Sequence, residues 1–233
     1  MKPYFIILIF LSSSFSTKLL AQNKVNFLET NIILSQPQGF FYRNVPRAKV
    51  GFELGYLRQL KSQTPLFWGL GIYYHQIGHQ GATITELLDF NLVNFDYSTT
   101  SNLLGFHGKL RFYPDIHIGK LDFFVEALMG YKWLFTSTTK AFSDDPDSSD
   151  FAIEKGNLSL SYGAAAGVNY PVNDKIYINF RANYIAGLSS QYYALNPDND
   201  IRFTTLDQFD LKKSTTDIIR WDLGVTIKFS RID

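Results

Sequence analysis

The chain has 233 residues, with 22 Lys and Arg against 21 Asp and Glu, no cysteine, and 16% aromatic residues, among them 14 Tyr and 21 Phe. The near-balance of charge removes the electrostatic basis for nucleic-acid binding. The lack of cysteine excludes a disulfide framework, thiolate metal sites and a cysteine nucleophile, and leaves no thiol to carry an N-terminal lipid.

The first residues, Met1-Lys2-Pro3, are basic and are followed by an apolar run from Tyr4 to Leu11 and then by Leu19-Leu20-Ala21-Gln22. A basic start, a short apolar core and a small residue before a polar one form the pattern of a secretory signal peptide, with cleavage expected after Ala21. Residues 1–21 are thus expected to be a leader and 22–233 a single domain. Lys2 and Lys18 would leave with the leader, so the 22 basic residues become 20 against 21 acidic. The apolar run is shorter than the ~20 residues of a transmembrane helix. No later segment supplies such a run, which argues against a helical inner-membrane protein.

Eight strand-like stretches follow, read by the alternation of faces along a strand. In the first, near Val25 to Leu34, Leu28, Ile32 and Leu34 alternate with Glu29 and Asn31, and Thr30 interrupts the apolar face. In the second, Val50, Phe52, Leu54 and Tyr56 oppose Lys49, Gly51, Glu53 and Gly55. In the third, Trp68, Leu70, Ile72 and Tyr74 oppose Gly69, Gly71, Tyr73 and His75. The fourth sets Leu104, Phe106, Leu110 and Phe112 against His107, Lys109 and Arg111. The fifth sets the odd residues from Leu121 to Phe135 against Asp122, Glu126, Gly130 and Lys132. The sixth sets Leu158, Leu160, Tyr162 and Tyr170 against Ser159, Ser161, Gly163, Gly167 and Asn169. The seventh sets Ile176, Ile178, Phe180 and Tyr184 against Lys175, Asn179, Arg181 and Asn183. The eighth alternates most regularly: Ile219, Trp221, Leu223, Val225, Ile227 and Phe229 against Arg220, Asp222, Gly224, Thr226 and Lys228.

The gaps between these stretches alternate in length. The short ones are 61–64, 114–120 and 172–174; the long ones are roughly 36–47, 80–99, 138–156 and 192–216. Each long gap exceeds the ~2–5 residues of an ordinary hairpin. Short turns on one side and long loops on the other mark an outer-membrane barrel. The expected fold class is therefore all-β: an eight-stranded antiparallel up-and-down transmembrane β-barrel, with both termini and the short turns inside and the long loops outside.

Energetics assign the apolar face to lipid. A basic residue facing lipid at the midplane costs ~2–4 kcal/mol, falling to ~0–1 near the interface. Across strands two to eight, Arg58 is the only charge on the apolar face, and it stands beside a short turn. The glycines gather on the polar face, where a narrow interior needs small residues, and aromatic residues gather near strand ends.

The polar face defines an expected interior charge network: Glu53, Lys109, Arg111, Asp122, Glu126, Lys132, Arg181, Arg220, Asp222 and Lys228, with Lys49 and His107 beside it. Eight strands enclose a space that side chains can fill, so the first expectation is a structural plug. A narrow ion path is the alternative. A wide pore needs about 16 strands and does not fit this length.

Chemical motifs are weak. His75 and His79 have the spacing of a helical metal pair, but on a strand four residues span about 13 Å. The acidic stretch Ser143 to Asp150 and the run Asn196-Pro197-Asp198-Asn199-Asp200 lack the glycine and terminal glutamate of a calcium loop and read as solvated loops. His79 has Thr83, Thr85 and Glu86 nearby, the closest approach to the His, hydroxyl and carboxylate set of a lipid A-modifying enzyme. The residues Leu87, Leu88, Phe90, Leu92, Val93 and Phe95 and the run Phe40-Phe41-Tyr42 are candidates for strand extensions, girdle positions or contact surfaces. No catalytic residue, cofactor or metal is expected.

Leu20-Ala21-Gln22, the strand Phe123-Phe124-Val125-Glu126-Ala127 leading to Gly130-Tyr131, the hairpin from Tyr162 to Val168 with Ile176 to Tyr184, and the ending Asp222 to Phe229 together resemble the small outer-membrane β-barrel family that includes PorT-like proteins and, more distantly, the OmpA-type transmembrane domain. One departure is that Ser230 to Asp233 follow the last aromatic residue. The resemblance implies a non-enzymatic outer-membrane protein in contact with membrane lipid and lipopolysaccharide. It also implies a structural or accessory role, through a secretion-machinery or other envelope protein as partner.

Overall fold

The computed structural model describes residues 24–231 apart from 63 and 144; the expected leader, its cleavage site and Asp144 lie outside the described residues. In chain order the elements are β1 (Lys24–Pro37), α1 (Gly39–Asn44), β2 (Lys49–Gln59), β3 (Leu66–Leu88), β4 (Asn91–Phe112), the two-residue β5 (His117–Ile118), β6 (Leu121–Phe142), β7 (Asp145–Pro171), β8 (Ile176–Gly187), β9 (Ser190–Leu195), a 3-10 turn (Thr205–Gln208), β10 (Phe209–Ser214) and β11 (Ile218–Arg231). Strands β1, β2, β3, β4, β6, β7, β8 and β11 pair antiparallel with their neighbours, and β1 pairs with β11. The eight strands therefore close into an up-and-down transmembrane barrel. Closure satisfies the backbone groups of each spanning strand where lipid offers no hydrogen bond.

The outside of the cylinder is apolar. Leu70, Ile72, Phe106, Met129, Phe180, Leu223 and Val225 are exposed on it. On β11 the apolar face from Ile219 to Phe229 covers about 33 Å along the strand, which at a tilt of about 40° matches a hydrocarbon band of about 25 Å. Above Tyr74 the outer face changes character. Tyr74 Oη donates to Asn102 Oδ1 at 2.7 Å. Beyond it, Thr83 donates to Asp96 at 2.6 Å, Thr85 to Asn94 at 2.7 Å, and His79 meets Thr100 at 3.3 Å. These polar cross-strand pairs belong in water, so the hydrocarbon boundary falls at Tyr74.

Two of the four expected long loops are strands. Residues 80–99 continue β3 and β4 to the pair Leu88 and Asn91, and residues 138–156 continue β6 and β7. β4 and β6 stay paired as far as Phe95 and Phe142. The result is a four-stranded sheet that stands on one side of the barrel and, from Tyr74 to Leu88, extends about 46 Å along β3 beyond the boundary. The turn that ends β3 holds Asp89 and Phe90 at φ of 49° and 66°. A type I′ two-residue hairpin turn demands positive φ at both central residues, and the aromatic Phe90, which is 98% exposed, adopts it at a cost of roughly 1–2 kcal/mol.

At the boundary β3 carries a bulge: Gln76 pairs with Asn102 and Gly78 with Ser101, leaving Ile77 over. The extra residue reverses the strand's parity. Below it Tyr73 and His75 point inward; above it His79, Thr83 and Thr85 point outward.

The other two long loops fold over the mouth. β9 and β10 form a hairpin whose Tyr192, Ala194 and Phe209 are buried. Phe41 of α1 meets the Tyr192 ring edge-on at 5.2 Å. Asn44 donates to Tyr192 Oη at 2.8 Å. Thr99 bonds Thr138 at 2.9 Å and Thr205 at 2.7 Å, and Ser101 donates to the Tyr193 carbonyl at 2.8 Å. The 3-10 turn is fixed by Asp207, whose carboxylate accepts from the backbone N–H of Phe203 at 2.7 Å and of Thr204 at 3.0 Å; these bonds hold its pKa below the ordinary value.

The boundary makes a direct prediction. Leu70→Arg, between Trp68 and Tyr74 on the lipid face, is expected to lose about 2–4 kcal/mol of stability in urea unfolding from lipid vesicles. Thr83→Arg, above the boundary, is expected to lose less than about 1 kcal/mol.

Candidate functional site: the barrel interior

The interior has three layers. At the short-turn end, Phe27, Leu57 and Phe67 pack with Val25, Tyr113 and Tyr177. All of these but Leu57 border an open vestibule of about 390 Å³ that Asp122, Asn169 and Lys228 also line. At the opposite end, Ile33, Tyr73, Leu103, Leu134, Ile185 and Ile218 pack under the hairpin cap.

Between these layers lies a buried ionic cluster. Arg181 sits at its centre, donating to Glu126 at 2.9 Å, to Glu53 at 2.7 Å and to Asp222 at 2.6 Å, with Glu29 at 3.8 Å. Arg111 reaches Glu126 and Glu29, both at 2.6 Å, and lies over the Phe124 ring at 3.9 Å. Lys109 donates to Glu53 at 2.5 Å and to Glu29 at 3.2 Å. Arg220 donates to Glu53 and, at 2.7 Å, to Asp222, and its guanidinium lies 4.4 Å from the Tyr73 ring centre. Asn183 adds a bond to Asp222 at 2.8 Å. Ionised, the four acids Glu29, Glu53, Glu126 and Asp222 balance the four bases Lys109, Arg111, Arg181 and Arg220. All eight are buried. Bidentate and shared contacts of this kind are what a buried charge needs to offset its desolvation.

The strands supply these groups by parity. Glu29 comes from β1, Glu53 from β2, Lys109 and Arg111 from β4, Glu126 from β6, Arg181 from β8, and Arg220 and Asp222 from β11. β3 contributes the Tyr73 ring, which lies across Gly105 of the neighbouring strand; a Cβ at Gly105 would occupy the ring's place.

Of the residues read from the sequence, Glu53, Lys109, Arg111, Glu126, Arg181, Arg220 and Asp222 meet in this cluster. Lys132 is buried but stands apart under the cap, donating to the carbonyls of Ile185 at 3.1 Å and Thr216 at 2.5 Å. Asp122 and Lys228 line the vestibule. The sequence reading leaves out Glu29, because Thr30 breaks the apolar face of its strand. The signal that finds it is charge: seven of the residues above carry four positive and three negative charges, and a buried set lacks one acid.

The His79 constellation does not assemble. His79 lies on the outer face of the tall sheet, while Glu86 lies on the inner face, bonded to Lys140 at 2.7 Å and to the Tyr97 hydroxyl. His75 is inside the barrel and His79 outside it. Among the described residues no three His, Asp or Glu side chains gather as a metal site.

No known sequence family and no curated protein matches this chain. Solved structures do. A major outer membrane protein from Thermus thermophilus is 12% identical, over 88% of this chain and 99% of that one, with a TM-score of 0.49. OprG of Pseudomonas aeruginosa is 14% identical over 89% and 97%, at 0.41. Ail, the attachment invasion locus protein of Yersinia pestis, solved with the heparin analogue sucrose octasulfate, is 13% identical over 89% and 99%, at 0.38. At these identities and scores the likeness carries no role over to this chain.

Two outcomes are expected. Arg181→Met leaves three carboxylates short of their shared partner and is expected to destabilise the barrel by about 3–5 kcal/mol, read by denaturant unfolding in vesicles. On the tall sheet, the bonds from Lys140 and Tyr97 hold the Glu86 carboxyl below the usual carboxylate range. A lowered folded pKa contributes stability at pH above the unfolded value, and that contribution is lost as pH falls through the folded value. The Glu86 carboxyl resonance is therefore expected to titrate below the glutamate range, and in Lys140→Met its midpoint is expected to rise toward that range.

Proposed function

We propose that this chain is a non-enzymatic outer-membrane barrel whose interior is closed, and that it works as a membrane-held scaffold through the surfaces it raises above the lipid. The observation that carries this reading is the charge-balanced cluster across the whole lumen. Its arginines are fixed by two or more partners each, and the capping hairpin lies over the layer above it. A hydrated path would need a column of water past Arg181 and Arg220, both fully buried. The separation of His79 from Glu86 supports the non-enzymatic reading. The apolar exterior and the polar sheet above Tyr74 support placement in an outer membrane with that sheet outside, among lipid and lipopolysaccharide. In its finer form the role is accessory to another envelope protein or to a protein secretion apparatus.

Planar-bilayer recordings test closure. The full chain is expected to give no stepwise conductance at neutral pH, and steady single-channel openings would overturn the reading. Pull-down of the intact barrel from native membranes tests the finer role: a stable secretion-machinery partner supports it, and recovery of the barrel alone counts against it.

A further inference from the structure

The tall sheet has two free edges, and they are built differently. β2 pairs with β3 only as far as His75, and β8 pairs with β7 only from Ser161. Among the described residues, no strand covers β3 from Gly78 to Leu88 on that side, and no backbone hydrogen bond from elsewhere reaches it. In an antiparallel pair, about half the residues turn their N–H and C=O groups away from the partner. Gly78, at the foot of this stretch, is buried against Leu195 and Phe209 of the cap, and the Gly81 carbonyl accepts from the Gln80 side chain at 3.2 Å. Above Gly78 the outer edge of β3 is a row of main-chain donors and acceptors with no strand partner among the described residues.

Natural proteins blunt such edges with Pro, charge and bulges. The β7 edge has all three. Asp145 to Gly156 includes Pro146, which has no N–H to offer, and Asp150, Glu154 and Lys155. Its pairing with β6 breaks register twice, between Thr136 and Ser137 and between Ala141 and Phe142. Above the Ile77 bulge at its foot, the β3 edge has neither a Pro nor a further break of register. Gly78 to Leu88 holds no Pro, Lys or Arg. Its single acid, Glu86, is turned to the inner face and engaged by Lys140 and Tyr97. The segment keeps continuous register with β4 from Gly78 opposite Ser101 to Leu88 opposite Asn91. It is rich in the β-branched and small residues Ala82, Thr83, Ile84 and Thr85, and it ends at the exposed apolar residues Leu87, Leu88, Phe90 and Leu92.

We propose that the β3 edge from Gly78 to Leu88 is a strand-addition site, which takes an extended polypeptide segment of a partner protein as a fifth strand of the tall sheet. Lipid and sugar do not present alternating N–H and C=O groups at the strand repeat; an extended peptide does, and edge addition is an established mode of peptide recognition. The apolar tip would favour partner segments with an apolar residue at the end that meets Leu87 and Leu88. This inference rests on the reading of the sheet as a contact surface outside the membrane. Closure of the lumen is tested separately by conductance, so either can fail without the other.

The test uses the full chain in lipid nanodiscs and a synthetic peptide copying Asn91 to Ser101, the segment whose side chains already match β3. Amide hydrogen exchange is read with and without peptide. The expected result is new protection of alternate amides within Gly78 to Leu88 and none within Asp145 to Gly156. Absence of new protection on β3, or equal protection on both edges, would overturn the proposal. Ala82→Pro and Thr83→Pro supply the second arm. The two neighbouring amides point to opposite sides, so one substitution breaks a bond to β4 and the other only blocks the edge. The edge-blocked variant is expected to fold and to bind the peptide at least tenfold more weakly. A folded barrel of that variant with unchanged binding would sink the idea.

Discussion

Lipid offers no hydrogen bond, and the rest of this structure depends on that constraint. Because an open edge in hydrocarbon is prohibitive, the sheet must close, through β1 with β11 and β4 with β6. Closure at eight strands leaves a lumen only as wide as its own side chains. The lumen must then be filled by residues whose parity is already set by the lipid outside. The polar partners of Leu70, Leu110, Phe180 and Leu223 have no choice but to meet each other inside, and the chain makes that meeting neutral.

The ionic layer does not follow from stability alone. A well-packed apolar filling is often as stable as a buried ion pair, and apolar side chains cluster in the layers above and below. What the charges add is mutual exclusivity. Glu53 is held by Lys109, Arg181 and Arg220, from three other strands. A one-residue slip of any strand would turn its charge toward lipid. The cluster therefore works with the apolar belt to specify one register around the cylinder.

Much of the barrel was legible in the sequence, because lipid and interior impose opposite chemistry on alternate residues. β11, from Ile219 to Phe229, shows this contrast at every position. Legibility ended where the contrast ended. Above Tyr74 the outer face of β3 and β4 meets water rather than lipid, so Thr83, Thr85, Asn94 and Asp96 replace the apolar residues that mark a spanning strand, and residues 80–99 read as a loop. The turn at Asp89 and Phe90 lacks the Asn-Gly or Asp-Gly pair that marks a hairpin. The capping hairpin was hidden for the same reason, since Ser190 to Leu195 and Phe209 to Ser214 are short and amphipathic only against the barrel mouth. In the cluster, seven members followed from parity, and Glu29 was lost to one irregular neighbour, Thr30.

The single extra residue at Ile77 has a further consequence. Below it, β3 is locked by lipid and by the interior; above it, the strand answers to water, to its neighbours in the tall sheet and, at its foot, to the cap. The bulge acts as a clutch between the two halves. Residues gained or lost in the upper part can be taken up there without shifting any side chain in the membrane, so the outer sheet is free to lengthen, shorten or change its surface while the barrel beneath stays the same.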